Sequence, residues 1–96
     1  MATRAFDAAE FLDADDPEAV AEYLTAAFET DDAAFIAKAI STVARAQGMG
    51  AIAKVADVDR TNLYRALSGD ANPEFETIRK VLGALGVQLV AKPRAA

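Results

Sequence analysis

The chain of 96 residues contains no cysteine and no histidine. These absences exclude disulfides, thiol nucleophiles, zinc sites built on Cys or His, and Ser-His-Asp triads. Carboxylates are the only metal-binding chemistry left open, and no metal or cofactor is expected. Glycine and proline are sparse, with 5 and 3 residues, which favours helix over sheet or disorder. No apolar run approaches the ~18 residues of a membrane span, and the N-terminus lacks the basic-then-apolar order of a signal peptide. A cytoplasmic protein with no membrane partner is expected. No paired carboxylates stand amid apolar sequence, where burial could shift a pKa for acid–base work, so no enzymatic role is expected.

What is present is apolar bulk and divided charge. Residues of apolar type make up 53% of the chain, enough for the core of one largely helical domain, although many are Ala and bury little area each. The net charge of −5 hides an asymmetry. Residues 1–44 carry ten acids against Arg4 and Lys38, a balance of −8, whereas residues 45–96 carry eight bases against five acids, a balance of +3. A polyanion is steered to the second half, and a basic protein is drawn to the first. The plainer reading of the first half is a solubilising surface.

Taken in order, residues 1–16 form an acidic arm holding Phe6, Phe11 and Leu12, with no sustained periodicity. Such apolar residues either fold back on a helical core or order on contact with a partner. The domain proper spans 17–96. Asp16 followed by Pro17 is an N-cap with proline at the first helical position, opening a helix to about Glu29 with Val20, Leu24, Ala27 and Phe28 on one side. A second helix runs from Asp31 or Asp32 to Gln47, with Phe35, Ala39, Ile40 and Val43 inward, and Gly48 closes it. After Asn72-Pro73 another helix reaches Leu85, with Phe75, Ile78, Leu82 and Leu85 inward, and Gly86 stops it. Val87–Val90 reads as a short β-strand. A lone strand has unpaired edges, so it lies against its own chain or, in the preferred reading, pairs with its copy across a homodimer axis.

Between these helices, residues 49–69 (MGAIAKVADVDRTNLYRALSG) read as a helix-turn-helix. Ile52, Ala53 and Ala56 share a face of its first helix, and the small Ala53 allows close crossing. Asp57 occupies the turn position that most needs positive φ, where Gly is usual. Asp59 caps the second helix, expected over 59–68, with Leu63, Ala66 and Leu67 inward and Gly69 as its left-handed C-cap. Its polar positions, Arg60, Thr61, Asn62, Tyr64 and Arg65, are of types that read bases or hold phosphates. Lys54, Ser68, Arg79 and Lys80 are candidate backbone contacts, against the plainer reading of solvated surface groups. An ordinary helical hairpin is the alternative.

The segments FDAAEFLDADDPEAVAEYLTAAFE, FIAKAISTVARAQGM, TNLYRALS, NPEFETIRKVLGALG and VQLV, in this order, resemble the antidote proteins of addiction modules, HigA-like antitoxins with a Cro/repressor-type helix-turn-helix. The resemblance spans residues 6–91. It implies an all-α, five-helix Cro/repressor-like domain whose partners are operator DNA and a small basic RelE/HigB-like toxin that cleaves messenger RNA. It places DNA reading on Arg60, Thr61, Asn62 and Arg65, with Tyr64 buttressing them or touching a phosphate. The acidic half then accounts for the toxin, with contacts expected from Phe6, Phe11, Leu12, Asp13 and Asp15. Two alternatives stay open: a phage-type regulator with no toxin, and a toxin-binding module without DNA binding.

Overall fold

A computed structural model of the chain describes residues 12–94. Five helices follow one another: α1 Pro17–Phe28, α2 Ala33–Gln47, α3 Met49–Ala56, α4 Arg60–Ala66 and α5 Phe75–Leu85. Their starts are written in side-chain chemistry. The Asp16 carboxylate accepts the Glu18 N–H at 3.0 Å, and Pro17 occupies the first helical position, where its missing N–H costs nothing. Asp32 accepts the N–H groups of Ala34 and Phe35 at 3.1 and 3.2 Å.

A single glycine joins α2 to α3. Gly48, at φ 106°, ends one helix and begins the next, a conformation that a side chain would strain. The α3–α4 connection is longer, three residues from Asp57 to Asp59, and its backbone is more demanding. Asp57 adopts the left-handed region at φ 58°, ψ 49°, and the Val58 N–H reaches back to the Ala53 carbonyl at 2.9 Å. This is the positive φ that the sequence assigned to Asp57. An Asp tolerates it and a β-branched residue does not. Asp57→Val is expected to lose about 1–2 kcal/mol in chemical denaturation, while Asp57→Gly should match or exceed the parent.

Packing places α3 at the centre, against α2, α4 and α5, while α1 covers α2 and α2 also meets α5. Val20, Ile40, Val43, Leu63, Val81 and Leu82 are the largest fully buried side chains, and no polar or charged residue among the described ones is buried. Ala53 is buried where α3 meets its neighbours, as its small size allows. The core thus owes its stability to apolar burial and close helix approach.

Four expectations need correction. Phe35 is 50% exposed because the whole first turn of α2, Ala33–Phe35, lies on the surface. Phe75 is likewise 69% exposed at the first position of α5, and Val81 fills the inward place instead. Helix α4 stops at Ala66 with Leu67 as its cap at φ −98°. Gly69 has φ 91°, but it lies beyond that cap, against the Ala34 backbone.

The fourth correction concerns Val87–Val90, which forms no strand; no strand occurs among the described residues. The Val87 N–H is spent on the Leu82 carbonyl at 3.1 Å. Farther along, Lys92 and Arg94 lie 3.9 and 3.5 Å from Glu29 and Asp31, at the α1–α2 connection. These exposed pairs contribute little energy, but they mark a path along the chain's own surface.

Candidate nucleic-acid interface

The surface of α4 is set by its own cap and its own core side. Asp59 Oδ2 accepts the N–H groups of Thr61 and Asn62 at 3.1 and 3.3 Å, fixing where the helix begins. Leu63, Ala66 and Leu67 are buried, so Arg60, Thr61, Asn62, Tyr64 and Arg65 all remain exposed. The side chains expected to read bases therefore share one short, capped element.

The neighbours add to this face unevenly. Lys54 on α3 is exposed, and Lys80 of α5 lines a shallow cleft together with Asn62, Arg65, Pro73 and Thr77. Arg79 is held by Glu76, whose Oε1 accepts from its Nη2 and Nε at 3.1 and 3.4 Å, so it offers less free charge. The Ser68 Oγ accepts the Asp70 N–H at 3.2 Å and shapes the turn after α4. Among the described residues the ion pairs are Arg79–Glu76, Lys92–Glu29 and Arg94–Asp31; none involves Lys54, Arg60 or Arg65. These three cations face solvent with no described carboxylate within ion-pair distance, although Asp57, Asp59 and Glu74 line the same cleft as Arg65.

One member of this surface could not be read from the sequence. Arg45, near the end of α2, lies with its guanidinium carbon 5.5 Å from the Tyr64 ring centroid, and Arg60 lies 5.8 Å from the same ring. The spacing of Arg60 and Tyr64 on one helix is a readable four-residue pair. Arg45 comes to that ring only through the packing of α2 and α4 about α3.

The acidic side is only partly described. Phe6 and Phe11 lie outside the described residues. Leu12 is half-buried and packs on the core cluster, so this residue folds back on the domain. Asp13 and Asp15 are exposed, and the Asp13 carboxylate accepts the Asp15 N–H at 3.0 Å. Exposed acids continue through Glu18, Glu22, Glu29, Asp31 and Asp32, on α1 and its connection to α2.

A tether missed by sequence reasoning joins this side to the core. Gln47 Nε2 donates to the Ala14 carbonyl at 2.8 Å and to the Leu85 carbonyl at 3.3 Å, linking the ends of the arm, α2 and α5. Gln47→Ala leaves both partly buried carbonyls without this donor and is expected to lower stability by about 1 kcal/mol in urea denaturation.

Among the described residues no group of three Asp or Glu side chains is placed to hold a metal, and no helix is long and apolar enough to cross a membrane. The fold defines a class: a small helical protein with a capped, cation-bearing helix and a run of exposed acids along α1 and its connection to α2. The chain belongs to the family described as "Probable addiction module antidote protein", whose model matches residues 2–93. An antidote family implies a toxin partner. The chain is also similar to an uncharacterized protein of Haemophilus influenzae, with 41% identity over 83 residues covering 86% of this chain and 84% of the relative. No solved structure matches it.

Proposed function

We propose that this protein is the antitoxin of a type II toxin–antitoxin module, which neutralises a small basic RelE/HigB-like mRNA-cleaving toxin and binds operator DNA as a dimer to repress its own operon. In this reading α3 and α4 form a HigA-like, Cro/repressor-type helix-turn-helix, and the protein performs no catalysis. The observation that carries the DNA half is the exposed set Arg60, Thr61, Asn62 and Arg65 on a capped helix, with no described carboxylate pairing its cations. One seven-residue helix buries too little surface for tight specific binding, so two copies reading a palindrome are the working unit. The −8 balance of residues 1–44 supports the toxin half, since a basic nuclease is drawn to it. Residues 1–32, especially Phe6, Phe11, Leu12, Asp13 and Asp15, are assigned to toxin contact, with Leu12 presenting only the part of its side chain that the core leaves open.

The test has two arms. A mobility-shift titration on the DNA upstream of the gene, at two salt concentrations, should give sequence-specific binding that weakens as salt rises. Absence of specific binding would reduce the protein to a toxin-binding module. Co-purification with the product of the adjacent reading frame should give a complex that is weakened by deleting residues 1–16. An undiminished complex would remove the arm from the contact.

A further inference from the structure

Resting on the DNA-binding reading, we propose that Arg45 is a contact to the DNA backbone, and that Tyr64 is the positioning residue that gathers Arg45 and Arg60 into one phosphate-binding pair. Arg45 stands on α2, outside the α3–α4 hairpin. Both guanidinium carbons lie within 6 Å of the Tyr64 ring centroid, at 5.5 and 5.8 Å, close enough for the ring's negative face to attract each cation. Tyr64 itself is 38% exposed, so the assembly is at the surface.

Three further facts fit a bound anion. The Arg45 Nε donates to Ser41 Oγ at 3.1 Å, which fixes the plane of the guanidinium and leaves its four terminal N–H groups for another partner. No ion pair among the described residues involves Arg45 or Arg60. The space beside Gly50, at the start of α3, is bordered by an Arg60 terminal nitrogen: a Cβ placed there would meet it at 3.8 Å. Two like charges drawn to one ring repel each other, and a bound anion lowers that repulsion. Forked guanidinium donors match phosphate oxygens. DNA phosphates are the anion that this face meets when α4 enters a groove, and a backbone contact of this kind carries no sequence information.

The experiment uses the full chain, with fluorescence anisotropy on the upstream operator duplex and on a scrambled duplex of the same length, over about 50–200 mM salt. Arg45→Ala should weaken binding to both duplexes by the same factor, roughly 5- to 10-fold, and reduce the slope of log affinity against log salt by about 0.9. Arg45→Lys, which keeps the charge, should restore the slope. Tyr64→Leu should weaken both affinities about threefold, and Tyr64→Phe, which returns the ring, should recover most of that loss. If Arg45→Ala leaves the slope unchanged and only lowers the melting temperature, Arg45 merely ties α2 to α4 and the proposal is wrong. A loss confined to the operator duplex overturns it too, because that marks base reading. If the parent chain binds neither duplex, the DNA reading itself has failed, an outcome distinct from either of these.

Discussion

Leu63→Ala is expected to lower the free energy of unfolding by about 3 kcal/mol, measured by chemical denaturation followed by circular dichroism. Leu63 is fully buried and belongs to the single apolar cluster that joins α1, α2, α3, α4 and α5. Truncation removes its transfer energy and leaves a cavity that helices on several sides cannot readily close. The loss is a large share of the 5–15 kcal/mol available to a domain of this size, and should lower the melting temperature by on the order of 15 °C. Helix α4 has seven residues, too few to persist without tertiary support. Its buried residues Leu63 and Ala66, with Leu67 as the following cap, supply that support. Phe75→Ala is the matched control: a larger side chain, but 69% exposed, and expected to change stability by no more than about 0.5 kcal/mol. If Phe75→Ala were the more damaging of the two, the assignment of the core would be wrong.

That contrast also marks what a sequence can convey about this fold. Features that depend on neighbours in the chain were legible: Asp16 before Pro17, Asp59 as a cap, a start for α2 at Asp31 or Asp32, Gly48 and Gly86 as stops, and Asp57 in the left-handed region. The split of α4 into a buried side at Leu63 and Ala66 and an exposed polar side followed from helical period alone. Phe35 and Phe75 fit the same periodicity and are nevertheless exposed, because period assigns a side of the helix and not whether a neighbour extends far enough to cover its first turn. Val87–Val90 has strand-like composition, but a strand also requires a partner edge, and local composition cannot supply one. The convergence of Arg45 with Tyr64 and the reach of Gln47 to Ala14 and Leu85 are products of tertiary packing. No local pattern announces them.

The double substitution Arg60→Glu/Arg65→Glu is expected to weaken operator binding more than about 100-fold while leaving the fold in place. Loss of one DNA-contacting Arg, whether it meets a base or a phosphate, costs on the order of 1–3 kcal/mol of binding, and reversal adds repulsion between carboxylate and phosphate to the lost attraction. Stability should change far less, because both side chains are exposed and the helix dipole acts on them in opposite senses. A Glu at position 60 stands at the first residue of α4, where negative charge is favoured, and one at 65 stands in its last turn, where it is disfavoured; each effect is about 0.3–1 kcal/mol. The measurement is a pair of readings on the same preparation: circular dichroism melting to establish the fold, and anisotropy on the operator duplex across salt concentrations. Rising salt should weaken the parent steeply and narrow the gap between parent and variant, since screening removes the attraction of one and the repulsion of the other. Binding to the toxin through the acidic flank should persist in the variant. Operator affinity within about threefold of the parent, with the helices intact, would mean that α4 does not face DNA, because no surface that meets a polyanion tolerates the reversal of two uncompensated cations at its centre.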